Sequence, residues 1–479
     1  MKKIILLISL FFSISFFGQP GTLDLTFNQT DLGSGNLANG AVKTTMIQSD
    51  GKIIIGGSFT TYNGNAINRI ARLNTDGSLD NTFNVGIGPN YDVNDISIQS
   101  DGKIIIGGSF TLFNGFPKVG VVRLNIDGTL DNSFYNNNLV GPADPTTVNT
   151  NIVYSTSIQS DGKIIIGGIL RFQLNSSAYH KIARLNTNGS LDTSFNITLQ
   201  GHPVYTTSIQ SDGKIIIGGG FSSPNGVTSY LISRLNTDGT IDNTFNVGTG
   251  PNNAVTTTSI QADGKIIIGG NFTLCHGISR NRIARLNSDG SHDTTFNPGT
   301  GANGIIRTIS IQSDGKIIIG GDFTTYNGTP TNYFARLNAD GTLDTAFNIG
   351  TGPNGLVRSI SIQSDGKIII GGDFTSYNGI GKNRIARINS GAALSNPSFD
   401  LSTTVIYPNP SNGYFNIKID DNVTTKTIEV YTLLGQKIYS KQITENTSAI
   451  DLSNQSKGIY IYKINTIEGE SKSGKLIID

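Results

Sequence analysis

The residues of this chain that could do chemistry are few, and most of them recur at fixed intervals. Cys275 is the only cysteine and stands beside His276, a pairing that invites a nucleophile reading. Neighbours in an extended chain point apart, however, and other copies of the same segment carry Tyr and Asn at these two positions, so catalysis is not expected there. The four histidines, His180, His202, His276 and His292, show no metal-ligand spacing. Asn74-Thr75-Asp76-Gly77, with Asp80 beyond it, imitates part of a calcium loop, but the place where that pattern needs its first carboxylate holds Arg72. A fixed cation repels a metal, and an Asx turn explains the Asp-Gly better. No metal and no cofactor are expected, and no nucleophile elbow, phosphate loop or zinc motif is present. A carboxylate pair for glycoside cleavage would have to be assembled from distant parts of the chain.

Two recurring sets remain. Arg72, Arg123, Arg184, Arg234, Arg285, Arg336 and Arg387 stand in register, and Asp80, Asp131, Asp192, Asp242, Asp293 and Asp344 follow the first six of them at a constant interval. Asp24, near the N-terminus, supplies a seventh carboxylate. An Arg-Asp pair in every copy, structural and not catalytic, is the expectation. The second set is aromatic and amide: Tyr62 with Asn63, Phe113 with Asn114, Tyr326 with Asn327 and Tyr377 with Asn378. Such residues arranged around a ring suit stacking on and hydrogen-bonding to sugars, or a protein contact. The competing reading is that the aromatic packs and the Asn-Gly merely turns.

The elements that position these residues come from internal repetition. Asp-Gly-Lys begins at 50, 101, 161, 212, 263, 314 and 365, so a unit of 51 residues is copied seven times with one nine-residue insertion, placed within Tyr135 to Tyr154. In the copy from Arg307 to Asn348, an alternating strand leads through Ser313-Asp314-Gly315 into the β-branched run Ile317 to Ile319, as for a strand covered on both faces. Gly320 and Gly321 follow, where another backbone is able to come close. Tyr326-Asn327-Gly328 turns into a third strand from Phe334, and Ala339-Asp340-Gly341 turns into a fourth over Leu343 to Phe347. Each unit is therefore expected to be a four-stranded antiparallel meander. Seven units predict far more strands than the ~10 an open twisted sheet tolerates, so the chain divides them radially. The predicted fold is all-β, a seven-bladed β-propeller. A solenoid is the alternative, but its coils are shorter and its strands parallel.

Gly21 to Asn28 reads like the fourth-strand tail Gly77 to Asn84, while the last copy ends in a degraded tail, Gly391 to Phe399. The N-terminal segment is thus expected to complete the last blade and remove an exposed edge. Alternate connections of a meander fall on opposite faces. The first-to-second and third-to-fourth turns are short and nearly identical, whereas the second-to-third loops and blade-to-blade crossings vary; local function belongs on that variable face.

Composition narrows the class. Lys plus Arg (35) against Asp plus Glu (34) leaves a net charge of +1, which gives no chain-wide basic field for nucleic acid or anionic membrane. Gly, 59 of 479 residues, is about 12% where an average protein has roughly 7%, as many tight turns require. Lys2 and Lys3 precede an apolar run from Ile4 to Phe17, read as a secretory signal over residues 1–18; the run is shorter than the roughly 20 apolar residues of a membrane anchor. No transmembrane segment is expected in the mature chain. The propeller is assigned to 19–399. From 400 to 479 the repeat is gone, and short alternating strands between Asn-Gly and Lys-Gly turns predict a small immunoglobulin-like β-sandwich.

Four blocks of that last stretch resemble the type A C-terminal sorting domain of the type IX secretion system of Bacteroidetes-type bacteria. They are Tyr407-Pro408-Asn409-Pro410 with Gly413, the turn at Leu434-Gly435-Gln436, Asp451-Leu452-Ser453 with Gly458-Ile459-Tyr460, and the closing Lys475-Leu476-Ile477-Ile478. The resemblance implies Sec export, passage through the type IX machinery, and a secreted or outer-membrane location reached through the periplasm. The QSDGKIIIGG core and the RLN-x-DG tail of each copy resemble the delta-60 repeat family, whose members are taken to form propellers but which has no common activity. The functional expectation is a binding or scaffold module whose partner is an extracellular polysaccharide or surface protein. The alternative is an extracellular carbohydrate-active enzyme that uses the variable face. Near-identity of the copies favours binding, since an enzyme needs unlike polar residues converging from unlike blades.

Overall fold

A computed structural model describes residues 18–29, 37–135, 139, 151–172, 179–195, 197, 199–222, 231–391, 405–418, 426–432, 436–443, 447–466 and 471–479. The leader, most of the insertion and the junction at 399–400 lie outside the described residues. The chain divides into two compact units, Met1–Ala392 and Ala393–Asp479.

The first unit contains seven three-stranded antiparallel sheets of one design. Blades 1 to 7 begin with the inner strands Val42–Ile47, Val93–Ile98, Ile152–Ile158, Gln200–Ile209, Val255–Ile260, Ile306–Ile311 and Val357–Ile362. In blade 6 the inner strand pairs with Ile317–Gly321, which pairs with Phe334–Leu337. The middle strand is buried throughout, because Ile317 and Ile319 pack into one inter-blade core while Ile318 packs into the next. This is why an uninterrupted β-branched run stands here, where a sheet with one wet face would alternate.

The fourth strand departs from the sequence expectation: it is reduced to one bridge, Leu343 to Leu337. After that bridge Asp344 accepts from the Phe347 amide at 3.1 Å through its carbonyl and from the Ala346 amide at 3.1 Å through its carboxylate, so the chain turns instead of extending. The second-to-third loop is also more ordered than expected and holds a two-residue hairpin, Thr325–Tyr326 against Thr329–Pro330.

Inner strands of successive blades pack side by side, and that of blade 7 packs against that of blade 1, which closes the ring. Across this seam the Thr45 amide donates to Ser359 Oγ at 2.8 Å, and Ser361 Oγ donates to the Thr45 carbonyl at 2.8 Å. The N-terminal segment seals the outside of the same blade. Leu23 bridges Ile388, the Asp24 amide donates to the Arg387 carbonyl at 2.8 Å, and the Asn389 amide donates to the Thr22 carbonyl at 2.8 Å. Tyr377 Oη donates to the Gly21 carbonyl at 2.6 Å, the bond that Tyr326 makes to Gly341 within blade 6. The first and last pieces of the ring thus share a blade.

Both glycines of the Gly-Gly pair are dictated by packing. A Cβ on Gly320 would lie 2.6 Å from Val357 Cγ1 of the next blade, and one on Gly321 would run into the Ile305 carbonyl oxygen. That second approach exists because the inner strand bulges there.

The second unit has two antiparallel sheets, one of Val405–Tyr407, Tyr414–Lys418 and Thr447–Asp451, the other of Lys437–Ile443, Lys426–Thr432, Gly458–Thr466 and Ser471–Ile478. Phe415, Ile417 and Ile450 from the first sheet share a buried core with Ile428, Val430, Ile464 and Leu476 from the second, which makes the unit a sandwich.

Candidate functional site: the variable-face mouth of the channel

The recurring Arg and Asp meet in every blade. Arg72 Nε donates to Asp80 Oδ2 at 2.7 Å, and the other five such pairs repeat this at 2.7 to 2.8 Å. Blade 7 uses Arg387 and Asp24, also at 2.7 Å. Both partners are buried, and a lysine, Lys52 in blade 1, reaches the same carboxylate oxygen at 2.9 Å. Each guanidinium lies over a phenylalanine ring, 4.7 Å from the centroid for Arg72 and Phe83. Each also donates to a carbonyl of the following blade, Arg72 to Ile126 and so on round the ring until Arg387 donates to Thr75 of blade 1. Burial alone would raise the pKa of Asp80, but hydrogen bonds from Thr82, Lys52 and Arg72 outweigh it and hold the carboxyl well below its usual range. The same balance, with Lys367, Thr26 and Arg387 as partners, holds Asp24 down. The cluster thus ties the strands of each blade to one another and, through the guanidinium, to the blade that follows.

The aromatic and amide candidates stand in the second-to-third loops, but the rings do not face solvent. Tyr62, Phe113, Tyr326 and Tyr377 are fully buried. Tyr62 and Tyr326 spend their hydroxyls on the carbonyls of Gly77 and Gly341 at 2.9 and 2.7 Å. Stacking on a sugar through these rings is therefore ruled out by their packing. The asparagines take the left-handed conformation, Asn114 at φ 52° and Asn378 at φ 50°. Their side chains clamp the crossing that enters the blade: Gly88 N donates to Asn114 Oδ1 at 2.8 Å, Thr300 N to Asn327 Oδ1 at 3.0 Å and Gly352 N to Asn378 Oδ1 at 2.9 Å. Asn63 Oδ1 accepts from Asn28 Nδ2 at 3.3 Å.

Blade 5 carries Cys275 and His276 in place of Tyr and Asn. Cys275 is fully buried, and burial pushes its thiol up to about 12, so no thiolate is at hand for nucleophilic work. The His276 ring lies 5.8 Å from that of His292, whose Nε2 accepts from Arg280 Nε at 3.2 Å. Among the described residues no cluster of three or more ligating side chains is placed to hold a metal.

A different set, which the sequence reading missed, reaches the mouth of the channel. In every blade the pairing of inner and middle strands slips by one residue, between Val42 and Thr44 in blade 1 and at the same place in all the others. The residue left over is Lys43, Asn94, Tyr154, Tyr205, Thr256, Arg307 or Arg358. A bulge re-aims the side chain of its extra residue, and here it does so at the end of the inner strand that adjoins the variable face. Lys43 Nζ donates to Asn94 Oδ1 at 3.2 Å, Asn94 Nδ2 to the Val153 carbonyl at 3.1 Å, and the Tyr154 and Tyr205 rings meet edge to face at 5.4 Å. Thr256 Oγ1 donates to the Ile306 carbonyl at 2.6 Å. The charged members keep 28 to 33% of their side-chain surface open to solvent while pairing with Asp92, Asp322 and Asp373. One residue deeper stands Asp95, where other blades carry Ser or Thr. Its Oδ2 accepts from the Thr156 amide at 2.6 Å, and burial pushes its pKa up to about 6. The signal for this ring was in the sequence: it is the position of the inner strand at which the copies agree least.

In the second unit Asn409 ties the first block of the tail to the last, since its Nδ2 donates to the Lys475 carbonyl at 2.8 Å and its Oδ1 accepts from Ile477 N at 2.9 Å. The flanking Tyr407-Pro408 and Asn409-Pro410 bonds are both cis. The Gly413 carbonyl accepts from Leu452 N at 2.8 Å, and Tyr460 Oη donates to the Ser456 carbonyl at 2.7 Å. Gly435 lies outside the described residues.

A closed ring of seven blades, sealed by its own N-terminal segment and followed by a sandwich with the tail's four-block pattern, defines an exported β-propeller. The chain belongs to the family described as domain of unknown function (DUF5122) beta-propeller, which matches residues 48–83, 99–134, 159–195, 210–245, 261–296, 312–347 and 363–391. A secretion system C-terminal sorting domain matches residues 405–479. That tail marks the protein for the type IX machinery and for secretion or attachment at the outer-membrane surface. No helix among the described residues is long and apolar enough to cross a membrane.

An ulvan lyase of Nonlabens ulvanivorans is 29% identical over 87 residues, which are 18% of this chain and 16% of that protein. The extracellular domain of a one-component system of B. thetaiotaomicron aligns at a TM-score of 0.42 and 12% identity, over 96% of this chain and 59% of that one. The extracellular domain of a hybrid two-component system from the same organism does so at 0.42 and 15%, over 94% and 56%. This chain thus spans a small part of the lyase and somewhat more than half of each of these extracellular domains.

Proposed function

We propose that the propeller is a binding module acting outside the cell, with its ligand seated at the variable-face mouth of the central channel. The observation that carries this reading is the ring of seven bulge residues. The middle strand is repeated as Ile-Ile-Ile-Gly-Gly in every blade to build the wheel, yet the position that the bulge re-aims holds five different residue types in seven blades. A purely structural ring would repeat that residue as it repeats Arg72 and Asp80. The ligand class we favour is an extracellular polysaccharide, with a surface protein as the second candidate. The test is an array of glycans and surface proteins probed with the purified full-length protein and with Tyr154→Ala/Tyr205→Ala. Capture by the parent and loss by the variant are expected; equal capture by both would contradict the site.

The enzyme reading has one observation in its favour. Asp95 is a carboxyl at the seam between blades 2 and 3 whose pKa burial pushes up to about 6, the range a general acid needs. Product released from any arrayed polysaccharide by the parent, and not by Asp95→Asn, would replace binding with catalysis.

A further inference from the structure

We infer that the channel mouth takes an anionic saccharide, with its carboxylate or sulfate on the cations of blades 7 and 1 and its sugar ring against the tyrosines of blades 3 and 4. This rests on the binding reading above and narrows it to a ligand class. The charge at the mouth is unevenly spread. Arg358 Nε donates to Asp373 Oδ2 at 2.9 Å, while Arg384 Nη1 donates to the carbonyl of that same Asp373. Lys43 and Arg69 likewise share Asp92, at 2.8 and 3.4 Å. Two cations against one aspartate, Arg384 resting on its backbone and not on its carboxylate, leave an excess positive charge beside Asp373 as beside Asp92, in side chains that still reach solvent.

Blades 3 and 4, which lie across a seven-membered ring from blade 7, carry no charge at the bulge position, although Lys181 of blade 3 stands where Arg69 and Arg384 stand in theirs. They bring Tyr154 and Tyr205 together instead. A guanidinium fork opposite an aromatic pair is the pairing of chemistries that an acidic sugar calls for: planar donors for the anion and an apolar face for the ring.

Arg384 shows a second, independent sign of unfinished business. Its backbone stands at φ 70°, a left-handed entry to the outer strand that Arg69, Gly120, Arg282 and Tyr333 repeat in other blades, so the conformation belongs to the fold. The Nε of Arg384 and that of Arg282 are enclosed without a hydrogen-bond acceptor. Buried donors are nearly always met, and an arriving anion is one way to meet these.

The experiment measures affinity electrophoresis and calorimetry of the full-length protein with polygalacturonate, dextran sulfate and neutral dextran. The parent is expected to bind one or both anionic polymers and not dextran, the two anionic arms telling carboxylate from sulfate. Arg358→Gln/Arg384→Gln should weaken binding at least tenfold with an unchanged melting curve, and Lys457→Gln, a cation of the tail, should leave it intact. Raising salt should weaken it as well. Binding of neutral dextran as strong as that of the anionic polymers, or anionic binding indifferent to the double variant, overturns the inference. Should an array find a neutral glycan or a protein held through Tyr154 and Tyr205, the binding reading stands and only the anionic class falls. Capture of nothing at all removes both.

Discussion

At the scale of single residues, the Arg-Asp-Lys cluster is the protein's most repeated chemistry, and its chemistry is structural. Sequence spacing alone located both partners in all seven blades, including the distant Asp24, because a fixed interval between opposite charges on paired segments leaves little else to satisfy them. The lysine and the carbonyl of the next blade were not legible, since neither the hairpin register nor the ring order is written in the spacing. They change the expectations. Removing one partner of a buried pair costs about 3 to 5 kcal/mol, so Asp344→Asn should lower stability by about 3 kcal/mol in urea unfolding. Exchanging Arg336 and Asp344 should restore only a small part, because an aspartate at 336 has no donor for the Ser390 carbonyl that Arg336 now serves. These carboxylates are held down relative to the unfolded chain, where Asp titrates near about 3.9. Their stabilisation is complete above that value and is lost as pH falls towards the folded-state pKa. The contribution of these seven carboxylates to the unfolding free energy should therefore stay level from neutral pH to about 5 and drop steeply below about 4, which acid titration of the parent against Asp344→Asn by circular dichroism checks. Asp95 has the opposite sign, and its contribution should decline as pH rises through about 6.

At the scale of the element, the Gly-Gly pair and the bulge are one device. The alternation of the inner strand and the apolar run of the middle strand were readable, and so was the close approach at the glycines. The bulge was not, because a slip of one residue leaves hydrophobic periodicity almost untouched on either side. Its consequence is measurable. Gly321→Ala would press a methyl group on the Ile305 carbonyl, which the Asp322 amide holds at 2.8 Å. Gly328→Ala meets nothing within 4 Å and suffers only from its φ of 77°. The first should cost well over the 1 to 3 kcal/mol usual for overpacking and the second about 1 kcal/mol, a contrast that paired thermal melts resolve. The fourth strand fails to extend for an equally local reason: the Asp-x-Thr/Ser segment offers its backbone an Asx turn, which competes with the ladder.

At the scale of the whole molecule, ring closure by an N-terminal segment follows from a sequence that carries its last strand tail at the wrong end. Deleting residues 19–28 should strip Asp24 from Arg387 and Lys367, open the outer edge of blade 7, and give a protein that melts at lower temperature and self-associates in light scattering. A deletion that remains monomeric with an unaltered melt would contradict the clasp. Removing residues 405–479 should leave the propeller inside the cell envelope, detectable by fractionation. The sequence reading reached a polysaccharide or a surface protein as the expected partner; the narrower anionic class proposed above depends on which side chains a seven-fold arrangement gathers at one end of the channel.

The most direct test of the account is calorimetric titration of polygalacturonate into the full-length protein and into Arg358→Gln/Arg384→Gln. Saturable binding by the parent, weakened at least tenfold in the variant at unchanged melting temperature, is the predicted result. Equal heats from the two proteins, or none from the parent with either anionic polymer, would contradict a channel mouth built to hold an acidic saccharide.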